Sequence, residues 1–259
     1  MAIDANTILL LSCDDGDGST TFTDTGANAH TISVVADAKQ KIDQFKFITG
    51  SSLYLDGTGD QLEVPDDVSW DWLTNNNTPF TIDMWVRFDS TASNRGFIGQ
   101  DAGINHAWGF YWSSVGNYIA FHARKSFQNQ EWRASWTPLV DTWYHIEATR
   151  DSSNNRYLFV DGIELTLTTD TKSTAWSSGA SAVVTVGYTN VDSKNARMSG
   201  WLDEIRISDV ARHTTGFTPE TIPYGPPAPV PPAEVLTIDK WLPATNRPNK
   251  AQPVTNPGF

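Results

Sequence analysis

Cysteine is almost missing from this chain. Cys13 is the single one in 259 residues, so no disulfide can form within the chain and the fold must hold by packing alone. Basic residues are scarce and scattered: 18 Lys and Arg against 30 Asp and Glu give a formal net charge of −12. No Lys/Arg cluster is present, which argues against a nucleic-acid backbone or an anionic membrane as partner, since both attract such clusters. Long apolar runs are missing too. The run Ile8 to Leu11 is too short for a signal peptide or a membrane span, and the residues before it hold no basic region. The expectation is a chain released into the cytoplasm where it is made, unless it leaves as part of a particle. Helical periodicity is also lacking, because Gly, Pro, Thr, Ser and Asn interrupt the sequence every few residues.

What is present is a series of short strand-like segments from residue 3 to about 222. Phe80 to Phe88 alternates cleanly: Phe80, Ile82, Met84, Val86 and Phe88 on one face, Thr81, Asp83, Trp85 and Arg87 on the other. Similar pieces are Thr7–Ser12, Ser52–Leu55, Gln61–Val64, Phe97–Gly99, Ala107–Trp112, Tyr118–Arg124, Glu131–Ser135 and Trp143–Arg150. Tyr157–Val160 and Ile163–Leu167 form a hairpin with a type I′ turn at Asp161-Gly162. Val183–Tyr188 and Gly200–Ser208 close the series. A dozen strands at this spacing, with no helices between them, predict an all-β chain, an antiparallel two-sheet jelly-roll sandwich. With 39% hydrophobic and 12% aromatic residues, a sizeable core is available.

The composition changes at Gly225, which divides the sequence into a domain, residues 1–224, and an arm, residues 225–259. Pro226 to Pro232 reads Pro-Pro-Ala-Pro-Val-Pro-Pro, a stiff polyproline II spacer. Val235, Ile238, Trp241 and Leu242 follow in a tail that cannot form a core alone. It is either an unstructured terminus or an extended arm that docks on its own domain or on a neighbour.

Leu9-Leu10-Leu11-Ser12-Cys13-Asp14 with Gly18 to Asp24, Ser51 to Gly57, Phe80 to Val86, Thr142 to Ile146 and Tyr157 to Gly162 form an ordered set of motifs, and in them the domain resembles the concanavalin A-like lectin/glucanase superfamily in its laminin-G-like branch. Most specific is Gly200-Trp201-Leu202-Asp203-Glu204-Ile205-Arg206-Ile207-Ser208-Asp209-Val210-Ala211-Arg212, followed by Phe217-Thr218-Pro219. It covers about residues 7–224 and leaves the arm outside. The resemblance implies a jelly roll, often with a structural calcium and often with sugar binding at one face. Domains with this closing segment look like those of tailed-phage structural proteins and bacterial surface proteins.

Glucanases of this fold place Glu-x-Asp-x-Glu on one strand, so that alternate carboxylates flank a glycosidic bond. None of Glu63, Glu131, Glu147, Glu164, Glu204, Glu220 and Glu234 is followed two residues later by aspartate. Asp203 and Glu204 are adjacent, and strand alternation points them to opposite faces. The five histidines show no metal-ligand spacing, and no Gly-x-Ser-x-Gly elbow or phosphate loop occurs. A non-enzyme is expected.

Two sets of candidate site residues remain. Alternation directs Asp203, with Trp201, Ile205 and Ile207, towards the core side, where an unpaired carboxylate is costly. It either ligates a structural Ca²⁺ together with Asp14, or accepts backbone or Arg hydrogen bonds. Asp56 and Asp60, in a Gly-rich turn, are further metal candidates. The stretch from Trp108 to Trp136 is rich in rings. Tyr111, His122, Arg124, Trp132 and Trp136 form a possible glycan patch, because a pyranose stacks its apolar face on a ring. The alternative is that these rings fill the core. The sequence thus points to a non-enzymatic structural or adhesion protein. One reading is a phage virion component, a head decoration or tail-associated protein, at the virion surface. Its partners there are other virion proteins or copies of itself through the arm, and surface glycans. The other is a carbohydrate-binding module unrelated to virions, in the bacterial cytoplasm or at the surface. Neither involves nucleic acid or membrane insertion.

Overall fold

In the computed structural model the clean alternation at the middle of the sequence becomes a central strand, β6 (Phe80–Phe88). Phe80, Ile82, Met84, Val86 and Phe88 enter one apolar core, as a period of two requires. The structure describes residues 3–47, 50–70, 77–103, 106–125, 128–172 and 181–225. The proline-rich spacer and the arm positions Val235, Ile238, Trp241 and Leu242 lie outside the described residues.

The first half of the fold supplies β1 (Thr7–Leu11), β2 (Ser33–Val35), β3 (Lys39–Lys41), β4 (Ser52–Asp56) and β5 (Gln61–Val64). After β6 come β7 (Arg95–Asp101), β8 (Ala107–Ser113), β9 (Tyr118–Lys125), β10 (Gln128–Ser135) and β11 (Trp143–Arg150). Then follow β12 (Arg156–Val160), β13 (Ile163–Glu164), β14 (Leu167–Thr171), β15 (Val184–Val186), β16 (Tyr188–Thr189), β17 (Ala196–Arg197) and β18 (Ser199–Ser208). The first sheet runs β13-β12-β11-β6-β18-β4-β3, with β1 paired to β18 beyond β4. The second runs β14-β10-β9-β8-β7-β15-β5-β2. Successive strands keep returning to the opposite sheet, every pairing is antiparallel, and the described residues contain no α-helix. This is the expected two-sheet sandwich.

The core between the sheets is built largely from rings. Phe121 stacks on Trp132 (4.5 Å) and on Trp108 (6.0 Å), and Phe88 meets Phe97 and Trp112 edge-on. Each large apolar side chain buried this way stabilises the fold by roughly 1.5–3 kcal/mol. The Asp161-Gly162 turn has positive φ at both residues, 51° and 73°, the type I′ geometry that the dipeptide predicts. The second arm of that hairpin differs from expectation. Ile163–Leu167 does not stay one strand: β13 ends at Glu164, and β14 pairs with β10 in the other sheet.

The largest departure lies in β18. Opposite β6, the register slips between Asp203 and Arg206, and Glu204 takes φ +50°. This β-bulge inserts a residue and resets the alternation. Leu202, Ile205 and Ile207 face the core, while Asp203 sits opposite Trp85 and Arg206 opposite Asp83 on the outer face. The core-side placement of Asp203 is therefore corrected. So is the opposition of Asp203 to Glu204, whose side chain also reaches the segment covering the outer face. Both outer faces carry a cover. Residues 209–225 run over the first sheet, where Phe217 packs on His145 and Phe159. Over the second sheet lie β16, β17 and Val191, which approach so closely that a Cβ at Gly99 would come within 2.6 Å of Thr189 Oγ1.

Candidate functional site

A cleft of about 490 Å³ opens on the outer face of the first sheet. Five stretches far apart in sequence build it: Lys46 and Phe47 ahead of β4, Trp85 from β6, Trp143 from β11, Asp161 from the β12–β13 turn, and Pro219, Glu220 and Thr221 from the covering segment. Lys46 Nζ stands 3.6 Å over the Trp85 ring, and Phe47 meets that ring edge-on. Burial lowers the Lys46 pKa, while Asp161 and Asp203 act to raise it. Asp161 is fixed by accepting the backbone N–H of His145 (2.9 Å). Trp143 is half-buried and offers a ring at the mouth. The indole N–H of Trp85 has no acceptor although the residue is 6% exposed, an unusual state for a buried donor. The Trp143 ring beside a cation, carboxylates and a hydroxyl is the chemistry of a polar ligand with an apolar face.

Behind the cleft the outer face is sealed by a buried polar network. Arg206 donates Nε to Asp83 Oδ1 (2.9 Å) and Nη2 to Oδ2 (3.0 Å). Tyr224 O–H donates to Asp83 Oδ2 (2.7 Å), and His145 Nε2 lies 2.8 Å from the phenol oxygen. Burial works against the Asp83 charge, but Arg206 and His145 prevail and hold its carboxyl far below the usual range. Glu147 lies 2.8 Å from His213 Nδ1 and accepts from Thr149. Glu204 accepts the Tyr224 N–H (2.9 Å); burial, then the charge of Asp14, pushes it up to about 7 despite that bond. These carboxylates are spent on internal partners beneath Tyr224, itself 3% exposed.

The five residues expected to form a glycan patch do not assemble into one. Tyr111, His122 and Arg124 do share a face, the outer face of the second sheet, as alternation implies. The cover of that sheet lies over them. Tyr111 is fully buried in a small cluster with Ala107, Ala120 and Val191, His122 is 4% exposed, and Arg124 reaches Asp192 at 3.6 Å. Trp132 faces the opposite way, into the core, with no exposed surface, and Trp136 packs on Phe88 and Tyr144. No sugar can stack on a ring enclosed on both faces, which corrects Tyr111 and Trp132. Trp85 and Trp143 were missed, although a signal existed: Trp85 is a large ring on the polar side of the Phe80–Phe88 alternation.

The metal candidates divide in two. Asp203 accepts the backbone N–H groups of Lys46 (3.0 Å) and Glu204 (2.9 Å). Burial first, then Glu204 and Asp14, raise its pKa well above the carboxylate range. Among the described residues Asp14 and Asp203 belong to no cluster of three ligands. Asp56 and Asp60 do belong to one, with Asp37, their ligand oxygens all within 4.8 Å of one another. Asp56 accepts the Thr58 N–H and hydroxyl, and Asp60 the N–H groups of Asp56 and Asp37, so the turn itself holds the oxygens together. Three carboxylates are a donor set of the right kind for Ca²⁺.

The family model described as concanavalin A-like lectin/glucanases superfamily, of laminin G type, matches residues 56–215. No curated protein matches the chain. Among solved structures, the binding domain of botulinum neurotoxin DC in complex with SialylT is similar, with TM-score 0.59 and 15% identity over 80% of this chain and 49% of that one. The same binding domain in complex with rat synaptotagmin II gives TM-score 0.59 and 14% identity over 80% and 49%. The botulinum neurotoxin serotype C1 binding domain gives 0.58 and 15% over the same shares. The chain thus spans about half the length of these structures, and at such identity the likeness is one of fold.

Proposed function

This chain belongs to the concanavalin A-like lectin/glucanases superfamily, and from that premise we propose that it is a non-enzymatic adhesion protein that captures a glycan in the cleft around Trp85 and Trp143. The observation that carries the reading is the cleft itself, where the half-buried Trp143 ring, Lys46, Asp161 and Thr221 converge on one opening above the buried Trp85 indole. Similar toxin binding domains have been solved with SialylT and with rat synaptotagmin II, which supports recognition as the use of the fold. A non-catalytic reading is supported by Asp83, Glu204 and Glu147 of this face, which are engaged by Arg206, Tyr224 and His213, and by the lack of a Glu-x-Asp-x-Glu strand in the sequence. We place the protein on a phage virion, with residues 226–259 joining the domain to other virion proteins or to copies of itself. A structural Ca²⁺ at Asp37, Asp56 and Asp60 completes the proposal.

A glycan array tests the binding. Wild type is expected to retain a defined subset of glycans. Trp143→Ala, a change at a half-buried rim position, is expected to lower that signal at least tenfold with the thermal midpoint kept. An array silent for the wild type would sink the reading.

A further inference from the structure

A second, smaller pocket of about 230 Å³ lies where the β4–β5 turn, the approach to β7 and the segment between β16 and β17 meet. Arg95, Lys194 and Arg197 line it together with Asn94 and Asn195, and no carboxylate does. In a chain of net charge −12 three cations gathered without an acid are out of keeping with the rest of the surface. Among the described residues none of the three takes part in an ion pair, although Arg124 and Arg133 elsewhere on the second sheet both do.

The hydrogen bonding leaves donors facing the space. Arg95 is 6% exposed. Its Nε donates to Ser90 O (2.8 Å), and Nη1 donates to Ser93 Oγ (2.9 Å) and Arg197 O (3.3 Å). All of these acceptors are neutral; burial lowers the Arg95 pKa, and Asp89, outside the pocket lining, acts against that without an ion pair to it. Among the described residues Nη2 makes no hydrogen bond. Asn94 Oδ1 accepts from Ser113 Oγ and Ser114 N, and Asn195 Oδ1 accepts from the Tyr188 hydroxyl. With both amide oxygens engaged, it is the NH₂ groups that remain to be satisfied. Arg197 is held over the Tyr188 ring at 4.3 Å, which fixes its plane. The lining is thus rich in donors and poor in acceptors, complementary to a group that only accepts.

We propose that this pocket binds an oxyanion, the carboxylate or sulfate ester of a single acidic sugar residue. The volume is somewhat below the ~300 Å³ at which drug-sized ligand sites begin, room for one substituted ring and not for an oligosaccharide. The oxyanion follows from the pocket alone; the choice of a sugar as its carrier rests on the glycan-binding reading. The pocket and the Trp85–Trp143 cleft share no lining residue.

Titration of the full chain by NMR with glucuronate, glucose 6-sulfate, inorganic sulfate and glucose tests the proposal. Glucuronate or glucose 6-sulfate is expected to shift the backbone amides of Asn94, Lys194 and Asn195, and which of the two binds tighter identifies the anion. Lys194→Gln with Arg197→Gln is expected to weaken the better ligand at least tenfold, and added salt to weaken it in the wild type. Trp143→Ala is expected to leave this binding unchanged, so failure of the cleft and failure of the pocket are told apart. Glucose binding as tightly as the acids overturns the proposal, as does inorganic sulfate binding alone. Shifts confined to other residues overturn it in the wild type, even if the double variant does not fold.

Discussion

Glu204 concentrates the chemistry of the outer face in one side chain. Its backbone occupies the left-handed region at the bulge, its carboxylate accepts the Tyr224 N–H, and Asp203, Asp14, Asp83 and Arg206 are the charged groups around it. Burial raises its pKa from 4.5 to about 7, so the folded chain holds a proton that the unfolded chain releases. The stability linked to that proton is fully present below the unfolded value and is lost as pH rises through 7, at about 1.4 kcal/mol per pH unit between the two values. Glu204→Gln keeps an acceptor for Tyr224 and carries no charge. Its unfolding midpoint is expected to exceed that of the wild type at pH 8, with the gap closing near pH 4. Urea unfolding at both pH values checks this; a gap that does not change with pH would remove Glu204 as the titrating group. Asp83 acts in the opposite sense, since its lowered pKa contributes stability that is lost in acid.

At the scale of elements, two short features decide what the strands present. The bulge in β18 turns Asp203 out of the core, which spares the interior an unpaired carboxylate. The β4–β5 turn bends back so that Asp60 caps the amides of Asp56 and Asp37. Three carboxylates drawn together repel one another, and a divalent cation would offset that repulsion. Added Ca²⁺ is expected to raise the thermal midpoint by several degrees and chelation to reverse the rise. Asp60→Asn is expected to abolish the response while the turn hydrogen bonds persist. No shift with Ca²⁺ in the wild type would leave these acids without a metal.

Across the whole molecule, the sandwich is covered on both outer faces, and the cover of the first sheet itself lines the cleft beside Trp143 through Pro219, Glu220 and Thr221. Among the described residues all eighteen strands precede residue 209, and Met1–Pro226 forms one compact unit. Deleting residues 226–259 is therefore expected to leave the unfolding midpoint and the glycan binding unchanged, while abolishing incorporation into virions. Incorporation that survives the deletion would count against the arm as the joining element.

The sequence by itself determined the class of fold and most of its strands. Alternation of side chains is local physics, legible in Phe80–Phe88 and in Asp161-Gly162 without any partner. Three-residue strands such as β2 and β3 lay below that resolution, because three positions cannot display a period. Only the tertiary structure decided the site. Lys46, Trp85, Trp143 and Asp161 converge through strand pairing and a covering segment, and the burial that removed Tyr111 and Trp132 from the surface comes from residues distant in the chain. The single slip at Glu204 reversed the facing of Asp203, since in a structure of period two one extra residue exchanges inside for outside.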